Sequence, residues 1–352
     1  MNQPNYSKIV PFMLGILVLF VLGIILRELQ SILLPFVISV FLSIIFGPLV
    51  TELKEKKVPT FVALLAVLLS IACILFVLAL VISSSVDSFV KEVPKYQERL
   101  VNLGSTIAGS VKELASKLNF RLEEVNVQQA FQLSSITSAL ASGIGSFLNL
   151  VANLFLVLLF MVFILAGTGE LTVKIRKAFP PDQAGRIVEV IEKVGSRTRR
   201  YLVTKTLISA TTGTLTFLIL WALGVDFPLV WGFLTFVLNF IPNLGSLIAI
   251  ILPFTLSLLQ FDNLRIPILV LILLSATQLV LGSIIEPRLM ASRLNLSPLV
   301  ILVSLIFWGW LWGVVGMILA VPIMVTARII FDDIDALRPI SVFMGRHIST
   351  TK

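Results

Sequence analysis

The chain has 352 residues, of which 57% are hydrophobic and only 13% charged, at a mean hydropathy of +1.04. A soluble domain typically carries about 25% charged residues, so this balance excludes an ordinary water-soluble fold and makes the bilayer part of the solvent. The formal net charge of +8 is unevenly spread, which in a membrane protein reports orientation first.

One cysteine, Cys73, and one histidine, His347, are present. A lone thiol in an apolar run reads as a packing residue, and a single His in a polar tail supports neither a zinc site nor a catalytic triad. Neither enzymatic chemistry nor a metal or other cofactor is therefore expected.

A spanning helix needs about 20 mostly apolar residues. Ile9–Leu26 is the first such run, and no small-residue cleavage site follows it before Arg27 and Glu28, so it reads as a retained span. Leu29–Val50 and Phe61–Ser83 follow, separated by a charged stretch, Glu52–Lys57, and by Pro59. The region 84–146 balances six basic against six acidic residues and has apolar positions at steps of three and four, which predicts amphipathic helices. Two readings are open for it: helices packed on each other or on the membrane surface, or a helical contact between subunits. Phe147–Gly167 is the fourth span.

The region 168–205 carries nine basic residues against four acidic ones, with an apolar face at Ile187, Val190, Ile191 and Val194. It reads as an interfacial amphipathic helix on an anionic leaflet. Aromatic interleaving is missing, so nucleic acid is not expected as a partner. With this region and Lys54, Lys56 and Lys57 placed inside, the N-terminus is inside, 84–146 is outside, and the fifth span, Thr206–Leu223, runs outward.

Two later regions are too long and too broken for ordinary spans. Phe227–Gln260 holds Asn239-Phe240-Ile241-Pro242-Asn243-Leu244-Gly245 at its middle. Proline removes a backbone donor, glycine permits reversal, and such backbone is tolerated at membrane depth only inside protein or beside a watery cavity. Leu296–Ile330 has glycines 309, 313 and 316 among Trp308, Trp310 and Trp312. Both open on Pro-Leu-Val, at Pro228 and Pro298, and both carry a later proline, Pro253 and Pro322. Each follows a full span, Thr206–Leu223 or Ile266–Ile285, so a unit of span plus broken hairpin repeats at an offset of about 70 residues. If both are re-entrant, the units are inverted, which points to a secondary transporter. The alternative is two hairpins broken for packing reasons.

The expected architecture is thus an all-α polytopic membrane protein. It has about six full transmembrane helices, two re-entrant or broken hairpins arranged as an inverted repeat, and an extramembrane helical domain. In chain order these are N-terminal spans over 1–83, the outer domain 84–146, a span over 147–167, the basic helix 168–205, a transport core over 206–331 and a polar tail over 332–352. Candidate site residues are Asn239, Pro242, Asn243 and Gly245 at one bend, Gly309 and Gly313 at the other, with Gln278 and Glu286 on the Ile266–Ile285 span and at its end. Glu286 reads either as solvated or paired with a nearby Arg, or as a gating or proton-coupling carboxylate. Asp226 and Asp262 read as boundary markers. No phosphate-binding loop is present, so any active transport would draw on an ion gradient.

Four motifs in order, Asn239–Gly245, Ile285-Glu286-Pro287-Arg288-Leu289-Met290, Leu296-Ser297-Pro298-Leu299 and Phe307–Gly313 running to Ala320-Val321-Pro322, resemble the autoinducer-2 exporter (AI-2E) family of permease-like membrane proteins. The resemblance covers nearly the whole chain. It implies a multi-pass bacterial inner-membrane transporter, a homo-oligomer, with members linked to export of the quorum-sensing furanone autoinducer-2 and others to sodium or lithium for proton antiport. Three functions follow as expectations: a carrier of a small polar solute, a cation/proton antiporter, or a non-transporting scaffold.

Overall fold

The computed structural model describes residues 6–74, 76, 80, 96, 99, 153–290 and 296–345. Among them there is no strand, and one isolated backbone bridge joins Leu296 to Gly345. Helix is the answer that apolar sequence in lipid allows, because only a helix or a closed barrel satisfies every peptide group internally. The helices are α1 (Tyr6–Glu28), α2 (Gln30–Glu55), α3 (Thr60–Ile74), α4 (Leu154–Ala178), α5 (Pro181–Ala222), α6 (Pro228–Leu238) and α7 (Leu244–Gln260). Next comes α8 (Arg265–Gln278), which passes through a π-helical segment, Leu279–Ile285, into α9 (Glu286–Met290). The series ends with α10 (Pro298–Asp333) and α11 (Arg338–Met344).

The all-α polytopic expectation holds. By length and composition α2, α5 and Arg265–Leu289 can each cross a bilayer, α10 is long and apolar enough when taken as unbroken, and α4, taken as one bent span, makes a fifth. Helix α1 covers the first expected span. Most of the expected outer domain, the end of the third expected span and residues beyond Gly345 lie outside the described residues.

One boundary differs from the sequence reading. The basic amphipathic stretch from Pro181 on and the fifth span are one continuous helix, α5, of 42 residues, while the first residues of that stretch end α4. Nothing between Lys205 and Thr206 breaks a helix, so the change from charged to apolar surface happens without a change of backbone. The break expected within Leu296–Ile330 falls in α10, where Trp312 (φ −128°, ψ 17°) and Gly313 (φ 63°, ψ −146°) leave the helical region. In a straight helix Ser304 and Ala320 would stand about 24 Å apart, yet the Ser304 hydroxyl donates to the Ala320 carbonyl at 3.3 Å. A Cβ added to Gly316 would lie 1.9 Å from the Trp308 carbonyl oxygen. Helix α10 is therefore a hairpin, with antiparallel arms 298–311 and 314–333.

The chain divides into two compact units. The first comprises Met1–Ala72, Ala152–Val203 and Ser292–Lys352. In it α2 packs on α4, with Phe36 edge-on to Phe160 at 5.6 Å and Gly47 admitting Leu165. The first half of α5 is tied to α10 by Lys193 on both oxygens of Asp333, at 2.8 and 3.0 Å, and by Thr198 and Thr326 hydroxyls 3.1 Å apart. At the hairpin tip the Trp312 indole donates to the Leu26 carbonyl at 3.4 Å, and the Arg27 guanidinium sits 5.6 Å from the Trp310 ring centroid.

The second unit comprises Cys73–Val151 and Thr204–Ala291. Helices α6 and α7 form its hairpin, turning at 239–243 with Asn243 at φ 61°. At about 17 Å and 25 Å, neither arm alone crosses a hydrocarbon core of about 30 Å. A Cβ on Gly245 would fall 1.7 Å from the Leu238 carbonyl oxygen. Helix α5 crosses α6 as closely: a Cβ on Gly213 would meet the Gly232 carbonyl at 2.6 Å. Small residues permit this backbone approach. Leu220, Val225, Trp231, Leu256, Leu259, Val270 and Leu274 with Tyr96 make the apolar core.

That core is closed by a polar clasp. The Tyr96 hydroxyl donates to the Asp226 carboxylate, the Asp226 amide donates to Gln260 Oε1 at 2.8 Å, and Gln260 Nε2 donates to the Gly224 carbonyl at 2.8 Å. Arg99 Nη1 donates to the carbonyls of Leu259 and Gln260, the last residues of α7, at 2.7 and 2.8 Å. A cation there satisfies orphan carbonyls and suits the negative end of the helix. Asp226 thus holds the clasp together as well as marking a boundary.

Two outcomes follow. Gly245→Ala places an atom inside the Leu238 peptide and should prevent the hairpin from closing, at or beyond the ~1–3 kcal/mol typical of overpacking; size-exclusion profile and melting temperature in detergent report it, and a wild-type melt would contradict the turn geometry. Tyr96→Phe removes one bond to a carboxylate and should cost about 1.5–3 kcal/mol. An unchanged melt would show that the clasp contributes nothing.

Candidate functional site

Six buried polar residues of the second unit fall on the facing sides of α5 and α6. On α5, Lys205, Ser209, Thr212 and Thr216 recur at steps of four, three and four, which lines them along one helical stripe. All four are buried, at 0–3% exposure. On α6, Thr235 stands one turn before Asn239, at 1% and 6% exposure. The two faces meet: Asn239 Nδ2 donates to Ser209 Oγ at 3.1 Å, one turn from the Gly213–Gly232 crossing. Polar side chains in such a setting normally line a pathway or hydrogen-bond between helices.

Lys205 carries this stripe to a third element. Its Nζ reaches Glu286 Oε1 at 2.5 Å, with side-chain exposures of 4% and 20%. Glu286 opens α9 directly after the π-helical segment Leu279–Ile285. A π-helical turn shifts the register of everything beyond it and is frequent at functional sites. The partner expected for Glu286 was a nearby Arg or solvent; the structure supplies a lysine 81 residues away in the chain. Removing one member of a buried pair typically costs ~3–5 kcal/mol, because the other charge is left uncompensated.

The expected site residues fall into separate places. Asn239 is buried and joins the stripe. Pro242 is half-buried in the turn, Asn243 is exposed beside it, and the buried Gly245 serves the turn sterically. Gln278 is buried at the start of the π-helical segment, its Oε1 in the space over Gly282. Glu286 is in the ion pair. Gly309 and Gly313 belong to the α10 hairpin in the other unit, where Gly309 faces Met317 and Gly313 forms the fold-back.

Sequence reading passed over Lys205, Ser209, Thr212, Thr216 and Thr235. Lys205 was counted with the basic stretch before it. The signal available was the 4-3-4 polar spacing inside an otherwise apolar run. Two buried hydroxyls among the described residues, Ser43 on α2 and Thr235, have no hydrogen-bond partner. No group of three or more His, Cys, Asp or Glu among the described residues could hold a metal ion.

Known proteins place this arrangement in context. The AI-2E family transporter profile matches residues 14–336. A putative transport protein of Borreliella burgdorferi is 32% identical over 299 residues, covering 85% of this chain and 80% of its own length. The AI-2 transport protein TqsA of Escherichia coli is 32% identical over 343 residues, 97% of this chain and 96% of its own. The putative transport protein YhhT of Escherichia coli is 30% identical over 302 residues, 85% and 84% of the two chains. With a family profile spanning nearly all of an all-helical, multi-pass chain, the protein belongs to the AI-2E family of membrane transporters.

Proposed function

We propose that this protein is an inner-membrane secondary transporter that carries a small polar solute, with autoinducer-2 the first cargo to test. The observation that carries the reading is the buried stripe Lys205–Ser209–Thr212–Thr216 joined to Asn239 and ended by Glu286. A bundle that only had to span lipid would gain nothing from a buried ion pair there, since an apolar pair of similar volume is often as stable or more so.

The two hairpins support the repeat expected of such a carrier. In each, a glycine early in the second arm rests on a carbonyl near the end of the first: Gly245 on Leu238, Gly316 on Trp308. These glycines are 71 positions apart in the sequence, close to the offset of the Pro-Leu-Val openings, so the correspondence extends from residues to turn geometry. Secondary transporters built on inverted repeats carry their substrate sites at discontinuous helices. The charge bias of 168–205 and Glu52–Lys57 supports an inside location for the Lys205–Glu286 end, with the cargo leaving toward the Asp226 clasp. The full-length relative named for AI-2 transport supports autoinducer-2 as a cargo, and the bacterial relatives support the inner membrane.

Reconstitution in liposomes tests this. Autoinducer-2 flux through the wild type, measured with and without an imposed proton gradient, is the expected result. Flux of Na⁺ with counterflow of protons, and none of autoinducer-2, would replace it with cation exchange; flux of neither would overturn transport of both cargoes. Asn239→Ala should lower autoinducer-2 flux about tenfold, the equivalent of one lost hydrogen bond of ~1–1.5 kcal/mol, with insertion unchanged. Full flux in that variant would remove Asn239 from the pathway.

A further inference from the structure

We propose that Lys205, Glu286, Ser209, Asn239 and Thr235 form one charge-neutral binding site for an uncharged polyhydroxylated solute, and that the Lys205–Glu286 pair sets its charge selectivity. The inference rests on the transport reading above and deepens it by naming the residues and the solute class.

The five side chains are contiguous. Glu286 holds Lys205, Ser209 lies one turn along α5 from Lys205 and accepts from Asn239, and Thr235 lies one turn from Asn239 on the same side of α6. Three elements distant in sequence therefore bring their polar groups to one line, where a packing role would need only one or two of them.

Hydrogen-bonding capacity in the cluster is unspent. Three threonines elsewhere in these helices turn their hydroxyls back to the carbonyl four residues earlier: Thr211 to Leu207, Thr212 to Ile208, Thr277 to Leu273. That bond is how a helix disposes of a hydroxyl it does not use. Thr235 is 1% exposed and makes no such bond. A buried hydroxyl left unpaired is costly, and it faces the side of α6 on which Asn239 meets Ser209. Beside it, the hydrogen bond between the two helices here runs from Asn239 Nδ2 to Ser209 Oγ. Thr212 is satisfied within its own helix and is not part of the site.

Charge balance selects the solute. Lys205 and Glu286 together contribute no net charge, so an entering anion meets Glu286 and an entering cation meets Lys205. A neutral polyol meets neither penalty. Its hydroxyls both donate and accept, which suits an ammonium, a carboxylate, an amide and two hydroxyls set side by side. Glu286, the more exposed member at 20% against 4%, is the one placed to exchange its partner for a solute hydroxyl while Lys205 stays fixed. Discrimination by an unpaired charge is a strong device, because the wrong solute leaves a buried charge uncompensated.

The test uses three six-carbon probes that differ in charge: sorbitol, gluconate and N-methylglucamine, measured as uptake into liposomes holding the full-length protein. Wild type should favour sorbitol by at least about tenfold over the two charged probes. Glu286→Gln leaves the site positive and should shift preference toward gluconate; Lys205→Met leaves it negative and should shift it toward N-methylglucamine. The double variant restores neutrality and should return preference to sorbitol, which keeps the test decisive if a single variant fails to fold. Thr235→Val, isosteric and without the hydroxyl, should lower sorbitol uptake about tenfold while the melting temperature holds or rises; a purely structural hydroxyl would give a lower melt and unchanged uptake. A wild type that prefers a charged probe, or folded variants that keep the wild-type preference, would overturn the proposal. Autoinducer-2 flux that Glu286→Gln, Lys205→Met and Thr235→Val all leave unchanged would overturn the site and leave the transport reading standing, whereas loss of all flux, autoinducer-2 and Na⁺ included, removes the transport reading itself.

Discussion

Lipid offers no hydrogen-bond partner to a peptide group, and most of what this chain does with its backbone follows from that. Long apolar runs become helices because the alternative exposes donors and acceptors to hydrocarbon. Where the helix is interrupted, at 239–243 and at Trp312–Gly313, the freed groups need partners from within the protein. The backbone answers with tight turns: the Ile241 amide donates to the Leu238 carbonyl at 2.8 Å and the Gly245 amide to the Ile241 carbonyl at 3.1 Å. The glycines that permit this closeness admit no side chain. Breaking a helix in this environment is costly, so two breaks with the same local geometry point to a use for them beyond packing.

The same constraint governs side chains. Serine and threonine are tolerated in the spans when they return their hydroxyls to the helix, as Ser70 and Thr212 do. Asn239 and Lys205 cannot be absorbed that way, and the Thr235 hydroxyl is not. Each needs something from another element, and the cluster they form with Ser209 and Glu286 joins α5, the α6 turn and the start of α9. The π-helical segment before Glu286 delays the register by part of a turn, and Glu286 in consequence enters α9 beside Lys205. The Asp226–Gln260–Tyr96 clasp closes this unit's apolar core.

Family membership fixes the broad activity and leaves the cargo to the site. The chain matches a relative named for autoinducer-2 over almost its full length, and under the proposal above the polar cluster takes hydroxyl groups rather than a bare ion. Its one carboxylate is already engaged by a lysine, which is a poor start for a cation site and a good one for a solute that both donates and accepts.

How much was legible beforehand depended on distance along the chain. The helices, their approximate ends and the two bends could be read because each is written locally, in runs of apolar residues and in Pro, Gly and Asn at the breaks. The motif Asn239–Gly245 identified a turn correctly, yet within it only Asn239 reaches the polar cluster; Asn243 is exposed and Gly245 serves sterics. The continuity of α5 across Lys205 was hidden because a change of surface was read as a change of backbone. Sequence by itself determined that this chain is a bundle of membrane helices with two interrupted hairpins, since burial in lipid depends on composition and period alone. Tertiary structure decided that Lys205 meets Glu286 and Ser209 meets Asn239. Pairs separated by 81 and 30 residues are set by how helices cross and by a π-helical shift in register, and neither leaves a mark in the local pattern of residues.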